Sequence, residues 1–593
     1  MTPVAGQRLQ VIMKPAKNAP TARKLTTPRH PSSKEQVFFA VLVGAVAFIV
    51  YSNTLDHSFV FDDKVAILNN PLVTHCQSWQ QVAQLLKGSW RSSTLFTYGL
   101  TFYLAGFNAR YFHAVNISIH VINSLLVFGV ALLAARRWLS TETSRFFALA
   151  AGMIHATHPL YSEGVAYVWG RSSSLCATFC FGSLLLVMMG YEKARFNKYA
   201  CFAGAIVCGV LAWKTKEEAI TLPFLIAGFF ALVGGWRLLA GLVAVPLLVI
   251  ATRWEDVALL YRKVHENASL ASIGFEPSLT PTVYFLTHVK ESVFYYLKRF
   301  VFPLQLNVDP DIQPVVHIMD PWLVISILVL ISLVVWGVLA WRKHRLISFA
   351  LMTLLLSPLM AYALMPLADV VAEHRIYITG LGVDLLFAWI LTRKPRYCLA
   401  ALSVVTVVFA AAAIERNKVW ANDLTLWSDA AQKSPGLARP HLNLGLAYES
   451  NRQFDRALIE YQKALSINPK LSTAYVNMGN ILFSRGDLKG SEAALRKAIE
   501  LSPNLSVAYG NLASIVLQKN QPAEALQLLE KAGSLEDSYV IHWNKGVVLS
   551  TLGRYREAAH EYQHALELRP DLASLKQQVN LRLQDMKARG VLR

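Results

Sequence analysis

The sequence has too little charge for a soluble protein of its length. Only 16% of its 593 residues are charged and its mean hydropathy is +0.36, whereas soluble domains carry about 25% charged residues. Long uncharged runs fill the chain before about Ala413, and the remainder is polar and rich in Ala, Leu, Glu and Lys. This shift predicts an all-α protein with a polytopic membrane domain followed by a soluble helical domain.

Cysteine motifs and nucleotide-binding motifs are also missing. Five of the six cysteines fall inside apolar runs and only Cys76 lies in a polar loop, so neither a disulfide framework nor a CxxC metal site is indicated. Without a GxxxxGKS/T loop, a GxSxG elbow or a Gly-rich dinucleotide turn, nucleotide-driven chemistry is unsupported. The net charge is +19, but the basic residues lie mainly in short loops between apolar runs. There they set membrane orientation, and we expect no nucleic-acid partner.

A window of about 20 residues, the length that crosses a bilayer as a helix, predicts about eleven membrane spans. They begin near Val37, Phe112, Phe146, Val165, Tyr199, Ala219, Leu238, Trp322, Ile347, Ile376 and Tyr397. Basic segments such as YEKARFNK and WRKHR fall in every second connection, which is typical of cytosolic loops. A further apolar segment at 282–303 carries Lys290, Glu291, Lys298 and Arg299. We predict that it lies at the membrane interface.

The polar part of the chain contains a 34-residue repeat. Pro435, Pro469 and Pro503 are 34 residues apart, which is the period of tetratricopeptide repeats. Small residues recur where the paired helices approach closely, and proline ends the second helix of a unit. The predicted boundaries are 1–36 for a disordered basic tail, 37–413 for the membrane domain, 414–437 for a linker and first half-repeat, 438–571 for about four repeats, and 572–593 for a capping helix and C-terminal tail.

The pattern of basic loops predicts the orientation of the chain. The basic tail is placed in the cytosol, and an odd number of spans puts the repeat domain on the opposite side of the membrane. The loops that carry HPLYSEG, KTKEEA and LADVVAEHR face the same side as the repeats. A bacterial inner membrane with periplasmic repeats is favoured, and an endoplasmic reticulum membrane with lumenal repeats is the alternative.

Two adjacent carboxylates, Asp62 and Asp63, stand in the stretch HSFVFDDKVAILNNP. An ordinary solvated loop is one interpretation. The apolar flanks instead favour a loop packed at the membrane surface, where unpaired carboxylates are costly. Two roles then remain open: a base that accepts a proton from an attacking hydroxyl, or a pair that holds a divalent cation against a phosphate.

Several motifs occur in an order that resembles a known family. They are NxLxxxFVFDD from Asn53, FHxxNxxxH from Phe112, HPxxxExVA from His158, GR at Gly170, KE at Lys216 and EHRIY from Glu373. With the repeats behind them, they resemble the transmembrane tetratricopeptide-repeat O-mannosyltransferases and their bacterial relatives. The resemblance covers nearly the whole chain from Val37 onward, and the few repeats and compact length are more typical of a bacterial member.

The resemblance implies a GT-C membrane glycosyltransferase. Such an enzyme would move a sugar from a polyprenyl-phosphate-linked donor to a Ser/Thr hydroxyl of a secreted or membrane protein on the extracytosolic side. Asp62 would be the general base of an inverting single displacement, and Asp63 would orient the acceptor or a cation. Metal dependence stays open: a divalent cation, Mg²⁺ or Mn²⁺, would bind at Asp62 and Asp63. The sugar and the lipid carrier also stay open.

Basic residues are expected to bind the donor phosphate and its lipid. They are Arg171 and Arg375 first, then Arg91, Lys216 and His113. The alternative is that the arginines pair with neighbouring glutamates or snorkel at span ends. In the family the arginine that matches Arg91 tends to precede Pro-Leu, whereas Ser92 and Ser93 follow it here.

Further polar residues are expected to support this site. They are Asn116, His120, His158, Glu163, Glu217 and Glu373. His113, Asn116 and His120 share one stripe of a helix. They either line the lipid-phosphate site or form hydrogen bonds between helices. A zinc site rich in histidine is not expected, because Tyr161 stands where relatives often carry a second histidine after His158.

Two other functions remain open beside the transferase. The chain could be a catalytically inactive, membrane-anchored repeat scaffold, or a transporter of a lipid-linked sugar. An anchor needs one span rather than eleven, and a transporter would show ionisable groups in mid-span and internal symmetry. The transferase is therefore favoured, with the repeats recruiting the protein acceptor.

Overall fold

The computed structural model describes residues 33–88, 91–192, 195–233, 280–362, 369–570 and 572–591, and all regular secondary structure in these ranges is helical. The helices of the membrane domain are α1 (Ser33–Tyr51), α2 (Ser92–Ala105), α3 (Ala109–Ala135), α4 (Thr141–Thr157), α5 (Ser162–Ala166), α6 (Arg171–Glu192), α7 (Arg195–Trp213), α8 (Leu222–Val233), α9 (Pro281–Glu291), α10 (Pro321–Ala340), α11 (Arg345–Tyr362), α12 (Gly380–Thr392) and α13 (Pro395–Val419). Shorter helical turns lie between them at Ser52–Asp56, Lys64–Leu68, Pro71–Thr74, Trp79–Gln84, Leu85–Lys87, Pro159–Tyr161, Glu217–Thr221, Ser292–Leu297, Lys298–Val301 and Glu373–Ile376.

Five of the described helices are long and apolar enough to cross a membrane. They are Lys34–Asp56, Ala109–Ala135, Arg171–Glu192, Pro321–Ala340 and Pro395–Val419, and three shorter apolar helices accompany them at Asn197–Trp213, Arg345–Leu355 and Gly380–Thr392. The span predicted near Leu238 lies outside the described residues, and each of the others coincides with a helix of the membrane domain. The helical membrane protein is thus confirmed, whereas the count of eleven spans and their orientation stay predictions.

The membrane-domain helices pack around one apolar core. Helix α3 contacts α1, α4 and α6, and α4 also contacts α12 and α13. Val127, Ala131, Phe147, Ala150 and Phe181 are fully buried in this core. The small residues among them allow the close helix contacts that are typical of membrane bundles.

The charged segment at 282–303 forms α9 and the two helical turns that follow it. Lys290 Nζ lies 3.1 Å from Glu291 Oε1 and donates a hydrogen bond to the backbone oxygen of Gln313 at 2.6 Å. The Tyr295 hydroxyl donates to Glu373 Oε1 at 3.0 Å. Protein groups therefore satisfy these polar side chains, and the position of the segment at a membrane interface stays a prediction.

Paired helices form the soluble part of the chain. They are α14 (Asp423–Lys433), α15 (Ala438–Ser450), α16 (Phe454–Ile467), α17 (Ser472–Ser484), α18 (Leu488–Leu501), α19 (Ser506–Gln518), α20 (Pro522–Leu535), α21 (Tyr539–Thr551), α22 (Tyr555–Leu568) and α23 (Ala573–Ala588). A methyl group at Gly445 would lie 2.4 Å from the Tyr461 ring, and one at Gly546 would lie 2.6 Å from the Tyr562 ring. Glycine is thus required where the two helices of these repeats cross, and the predicted tetratricopeptide fold is confirmed.

A buried ion pair fastens the repeat domain to the membrane domain. Arg439, on the first repeat helix α15, donates from Nε and Nη2 to the two carboxylate oxygens of Asp309 at 2.6 and 2.5 Å. Its Nη1 donates to Asp369 Oδ1 at 2.9 Å. Tyr167 stacks on Trp420 with ring centroids 5.1 Å apart. The first repeat is therefore held against one end of the helical bundle. We call this the repeat-facing end, and it is formed by residues 57–63, 167–170, 306–313 and 369–376.

We expect Arg439→Met to loosen this attachment. The substitution leaves the buried Asp309 carboxylate without its main partner, and breaking a buried pair on one side costs about 3–5 kcal/mol. Limited proteolysis of the full chain should therefore cut the connection between α13 and α15 at least tenfold faster than in the wild type. Arg556→Met, at an exposed position of α22, is the matched control. Equal cleavage rates in the two variants would contradict the role of the ion pair.

Candidate functional site

The loop that carries the two aspartates turns sharply at Phe61. Phe61 has a left-handed backbone conformation with φ of 52°, which is strained for a bulky residue. Two contacts hold it there: its backbone N–H donates to Asp423 Oδ1 at 3.0 Å, and its ring packs edge-on against Trp427 at 5.2 Å. Because Asp423 and Trp427 belong to α14, the helix that precedes the first repeat, the segment that leads into the repeats helps to shape the loop.

Asp63 is a structural residue of this loop. Its side chain is fully buried, and its two oxygens accept hydrogen bonds from the backbone N–H groups of Val60 at 3.1 Å and Trp169 at 2.7 Å. Burial raises the pKa of the Asp63 carboxyl to about 8, against the lowering effect of these two hydrogen bonds. The structure therefore differs from the sequence prediction, since Asp63 ties two loops together and does not face an acceptor.

Asp62 points the other way and is exposed. Although solvent reaches it, the surrounding protein desolvates the carboxyl group enough to raise its pKa, and the Asp369 and Glu163 carboxylates raise it further. Arg439 opposes this effect. The Tyr167 hydroxyl also lowers the Asp62 pKa, although it makes no well-formed hydrogen bond among the described residues. Asp62 is thus the accessible carboxylate of the motif, with its basicity strengthened.

The adjacent Asp pair does not form a shared cation site in this conformation. Both oxygens of Asp63 are directed at backbone N–H groups inside the protein, and only Asp62 is exposed. Since a divalent cation between the two needs an oxygen from each, the loop would have to open first. The predicted Mg²⁺ or Mn²⁺ site at Asp62 and Asp63 therefore does not fit the observed side chains.

Glu163 and Glu373 are buried next to this loop and are held by different partners. Glu163, on α5, accepts from His374 Nδ1 at 2.7 Å and from the His374 backbone N–H at 3.2 Å. Burial raises the pKa of the Glu163 carboxyl to about 7, while Arg416 and neighbouring groups lower it. Glu373 accepts from the Asn307 backbone N–H at 2.8 Å and lies 3.4 Å from Arg416 Nη2. Both glutamates thus position the loop at 369–376.

Three of the predicted phosphate-binding cations gather around Glu217. Arg91 Nη2 lies 3.3 Å from Glu217 Oε1, and its guanidinium group sits 5.4 Å from the Trp169 ring centroid. Burial would raise the pKa of Glu217, but Arg91, Lys216 and Arg375 together hold it below its ordinary value. Arg91, Lys216 and Arg375 therefore form a cluster of cations around the Glu217 carboxylate, which neutralises part of their charge.

The other contacts of this cluster fix the direction of its side chains. Lys216 Nζ lies 2.7 Å from both Ser173 Oγ and Glu218 Oε1. Arg375 Nη1 donates to the backbone oxygen of Asp369 at 2.5 Å. Asp369 also bonds Arg439 and raises the pKa of Asp62, so Asp369 links Arg375 of the cation cluster to the surroundings of the Asp62 carboxylate.

Arg171 does not join this cluster. It is fully buried and donates from Nε to Asn116 Oδ1 at 2.7 Å and from Nη2 to the backbone oxygen of Phe112 at 2.8 Å. Its guanidinium group also lies 4.5 Å from the Tyr98 ring centroid. The Asn116 amide in turn donates to the backbone oxygen of Val165 at 3.0 Å. Arg171 and Asn116 thus hold helices together, unlike the predicted donor-binding role of Arg171.

The three predicted histidines are also buried between helices. His120 Nδ1 lies 2.5 Å from the Tyr377 hydroxyl, and His158 Nε2 lies 3.0 Å from the backbone oxygen of Phe300. His113 packs against the His57 ring with centroids 5.9 Å apart. Of the two interpretations of the His113 stripe, the geometry of Asn116 and His120 fits hydrogen bonding between helices.

Several polar residues at this end were not singled out from the sequence. They are His374, Asp369, Arg416, Asp309 and Arg439. Asp384, buried within the bundle, was missed as well: its Oδ2 lies 2.7 Å from His155 Nδ1, and the Tyr161 hydroxyl donates to the same carboxylate. Arg439 sits in a repeat helix and Asp309 in a loop, so nothing local in the sequence indicates that they meet.

The fold and the site define a helical membrane protein whose repeat domain borders a cluster of carboxylates and cations. A family model for a tetratricopeptide repeat-like domain matches residues 445–588. Among solved structures, the chain is similar to the crystal structure of MamA, with 20% identity, 26% of this chain and 89% of that chain covered, and a TM-score of 0.23. The chain is also similar to TTC0263, a thermophilic TPR protein in Thermus thermophilus. Here the identity is 20%, the match covers 31% of this chain and 98% of that chain, and the TM-score is 0.25.

Curated relatives carry the name of the family that the sequence motifs resemble. The chain is 30% identical over 271 residues to the human protein O-mannosyl-transferase TMTC4, covering 41% of this chain and 34% of that protein. It is 24% identical over 454 residues to the Caenorhabditis elegans protein O-mannosyl-transferase F38B6.6. This match covers 72% of this chain and 62% of that protein. The resemblance to protein O-mannosyl-transferases is thus confirmed, and the chain spans between about a third and two-thirds of the length of these relatives.

The raised pKa of Asp63 predicts a dependence of stability on pH. The folded state keeps the Asp63 proton up to about pH 8, whereas an unfolded chain releases it near pH 4. The stabilisation is therefore fully present below about pH 4 and is lost as pH rises through 8. Thermal unfolding midpoints measured from pH 6 to 9 should fall more steeply for the wild type than for Asp63→Asn. Asp56→Asn, at an exposed position, should retain the wild-type slope, and a variant at Asp63 with that same slope would refute the assignment.

Proposed function

We propose that this protein is a membrane glycosyltransferase that moves a sugar from a polyprenyl-phosphate-linked donor to a Ser/Thr hydroxyl of a protein. Its similarity to protein O-mannosyl-transferases supports the class of reaction. The observation that carries the mechanism is the contrast between the paired aspartates. Asp63 is buried and bonded to the backbone, while Asp62 is exposed and is influenced by the Asp369 and Glu163 carboxylates and by Arg439.

Asp62 fits the role of general base in an inverting displacement. The acceptor hydroxyl attacks the anomeric carbon of the sugar, the bond between this carbon and the phosphate oxygen breaks, and the hydroxyl proton passes to the Asp62 carboxylate. A carboxylate with a raised pKa accepts that proton more readily than an ordinary aspartate. The neighbouring Asp369 and Glu163 carboxylates supply part of this increase, and the strained turn at Phe61 directs Asp62 away from the interior.

Arg91, Lys216 and Arg375 fit the role of donor-phosphate ligands. Negative charge grows on the phosphate as the sugar leaves, and cations fixed in advance stabilise that charge without reorganising. Glu217 holds Arg91 in place, and Glu218 and Ser173 hold Lys216. These contacts leave the cluster ordered before a donor arrives, which is what electrostatic catalysis requires.

The repeat domain fits the role of acceptor recruitment. Grooves of this kind bind extended peptides or helices, and the first repeat is fixed beside the Asp62 loop by Arg439. A polypeptide bound along the repeats would thus reach the loop at a defined place. In this arrangement the Asp62 loop and the repeats share one side of the membrane, opposite the amino terminus.

Replacing Asp62 by Asn tests the base directly. The substitution keeps the shape of the side chain and removes its ability to accept the proton, so we expect transfer to fall by about 10²- to 10⁴-fold. The measurement is glycan transfer by the purified full chain, supplied with a panel of polyprenyl-phosphate sugars and secreted proteins. Asp56→Asn is the exposed control and should transfer at the wild-type rate. The proposal fails if no donor supports transfer, or if Asp62→Asn is as active as the wild type.

Comparing Arg375→Gln with Arg171→Gln separates binding of the donor from support of the fold. We expect Arg375→Gln to raise the donor KM at least tenfold with little change in the unfolding midpoint, because its side chain lies in the cation cluster. Arg171→Gln should mainly lower the unfolding midpoint, because Arg171 is enclosed by helices. Titration of the donor at saturating acceptor, with thermal unfolding of the same samples, gives both quantities. If instead Arg171→Gln raises the donor KM and Arg375→Gln lowers the unfolding midpoint, Arg171 belongs to the donor site and the assignment of Arg375 is wrong.

A further inference from the structure

A cluster of histidine and carboxylate side chains lies in the last repeat, away from the proposed transferase site. His542, near the start of α21, places Nε2 2.7 Å from Asp537 Oδ1. His564, on α22, places Nε2 3.6 Å from the same oxygen. The two imidazole rings are perpendicular, with centroids 4.4 Å apart. One oxygen and two nitrogens therefore converge from three separate elements, all within 4.8 Å of one another.

The second nitrogen of each histidine is held by a glutamate. His542 Nδ1 is bonded to Glu561, and His564 Nδ1 lies 3.2 Å from Glu567 Oε2. Lys545 Nζ, 3.0 Å from Glu561 Oε1, fixes that carboxylate in turn. A carboxylate on one ring nitrogen places the proton there and leaves the other nitrogen as an electron-pair donor. This is the arrangement that orients histidine ligands of metals in proteins.

The neutral form of each histidine that donates from Nδ1 to its glutamate carries an electron pair on Nε2. With the protons on the two Nδ1 atoms, the Nε2 atoms of His542 and His564 both direct lone pairs towards the Asp537 carboxylate. Such a contact is repulsive unless a cation sits between the groups or an extra proton is taken up. Tetrahedral zinc with bonds of about 2.0–2.1 Å separates its nitrogen and oxygen ligands by roughly 3.3 Å, a value that lies between the two observed separations.

We propose that Asp537, His542 and His564 form a binding site for a transition-metal dication, with zinc as its natural occupant. Three protein ligands leave a fourth position for water or for a group from a bound polypeptide. The metal would join α21 and α22 to the loop that enters the last repeat. It would also place a positive charge on a domain whose proposed task is to bind acceptor polypeptides.

The sequence HEYQH at 560–564 suggests a different zinc site, which the structure does not favour. On a helix, HExxH uses both histidines as ligands and the glutamate as a base. Here the Glu561 carboxylate is already held by His542 and Lys545, and Tyr562 is buried in the repeat core. The His564 ring packs against the His542 ring of the preceding helix, whereas His560 is exposed.

Zinc titration of the full chain tests the proposed site. It also distinguishes a site that uses His542 and His564 from one that uses His560 and His564. The protein is purified without a polyhistidine tag, stripped with a chelator and titrated with Zn²⁺ against a chromophoric competitor, with bound metal counted by mass spectrometry. We expect His542→Asn and Asp537→Asn each to lose one equivalent of tight zinc. Glu561→Gln should weaken that equivalent by about 10- to 100-fold through misorientation of His542. His560→Asn should bind zinc as the wild type does.

Two outcomes would overturn the proposal. If the wild type binds no zinc that His542→Asn lacks, the cluster is an ion-paired imidazolium and not a metal site. If His560→Asn loses the equivalent and His542→Asn keeps it, the metal is held by the histidines of one helix. Asp537 is exposed, so its variant should keep the repeat fold even if a histidine variant does not. As a second measurement, Co²⁺ bound to the wild type should give the intense visible bands of a tetrahedral site.

Discussion

The need to pair every buried charge organises the end of the bundle where the two domains meet. In a protein with little charge, an uncompensated carboxylate or guanidinium group inside the fold costs several kcal/mol. Arg439 meets Asp309 and Asp369, Arg416 meets Glu373, and Glu163 meets His374. Each partnership joins different elements, so satisfying the charges also fixes how the loops and the first repeat are arranged.

A second requirement, that buried polar groups be hydrogen-bonded, separates the two aspartates of the central motif. A carboxyl group can be buried next to an apolar core when its oxygens accept hydrogen bonds, and Asp63 obtains them from two backbone N–H groups. Because Asp63 fixes the loop at 57–63 from its buried side, Asp62 stays at the surface, where a reacting hydroxyl can approach. The structural role of one residue is thus the condition for the proposed chemical role of the other.

The helix that precedes the repeats and the first repeat helix take part in building the proposed site. Asp423 and Trp427 hold the strained Phe61 turn, and Arg439 lowers the pKa of Asp62 while binding Asp369. The start of the soluble domain and the loop that carries the proposed base are therefore packed against each other. A metal in the last repeat would act on the same domain at its far end.

The sequence by itself determined the helical membrane domain, the repeat domain and the position of the acidic motif, because these depend on hydropathy, a 34-residue period and local residue order. It also indicated Arg91, Lys216 and Arg375, which the fold places around Glu217. Only the tertiary structure decided that Arg171, Asn116 and Asp63 support the fold, and that Asp309 and Arg439 meet across the domains. Those roles depend on which groups become neighbours after burial, and a buried arginine that bonds a backbone oxygen has the same local sequence as one that awaits a phosphate.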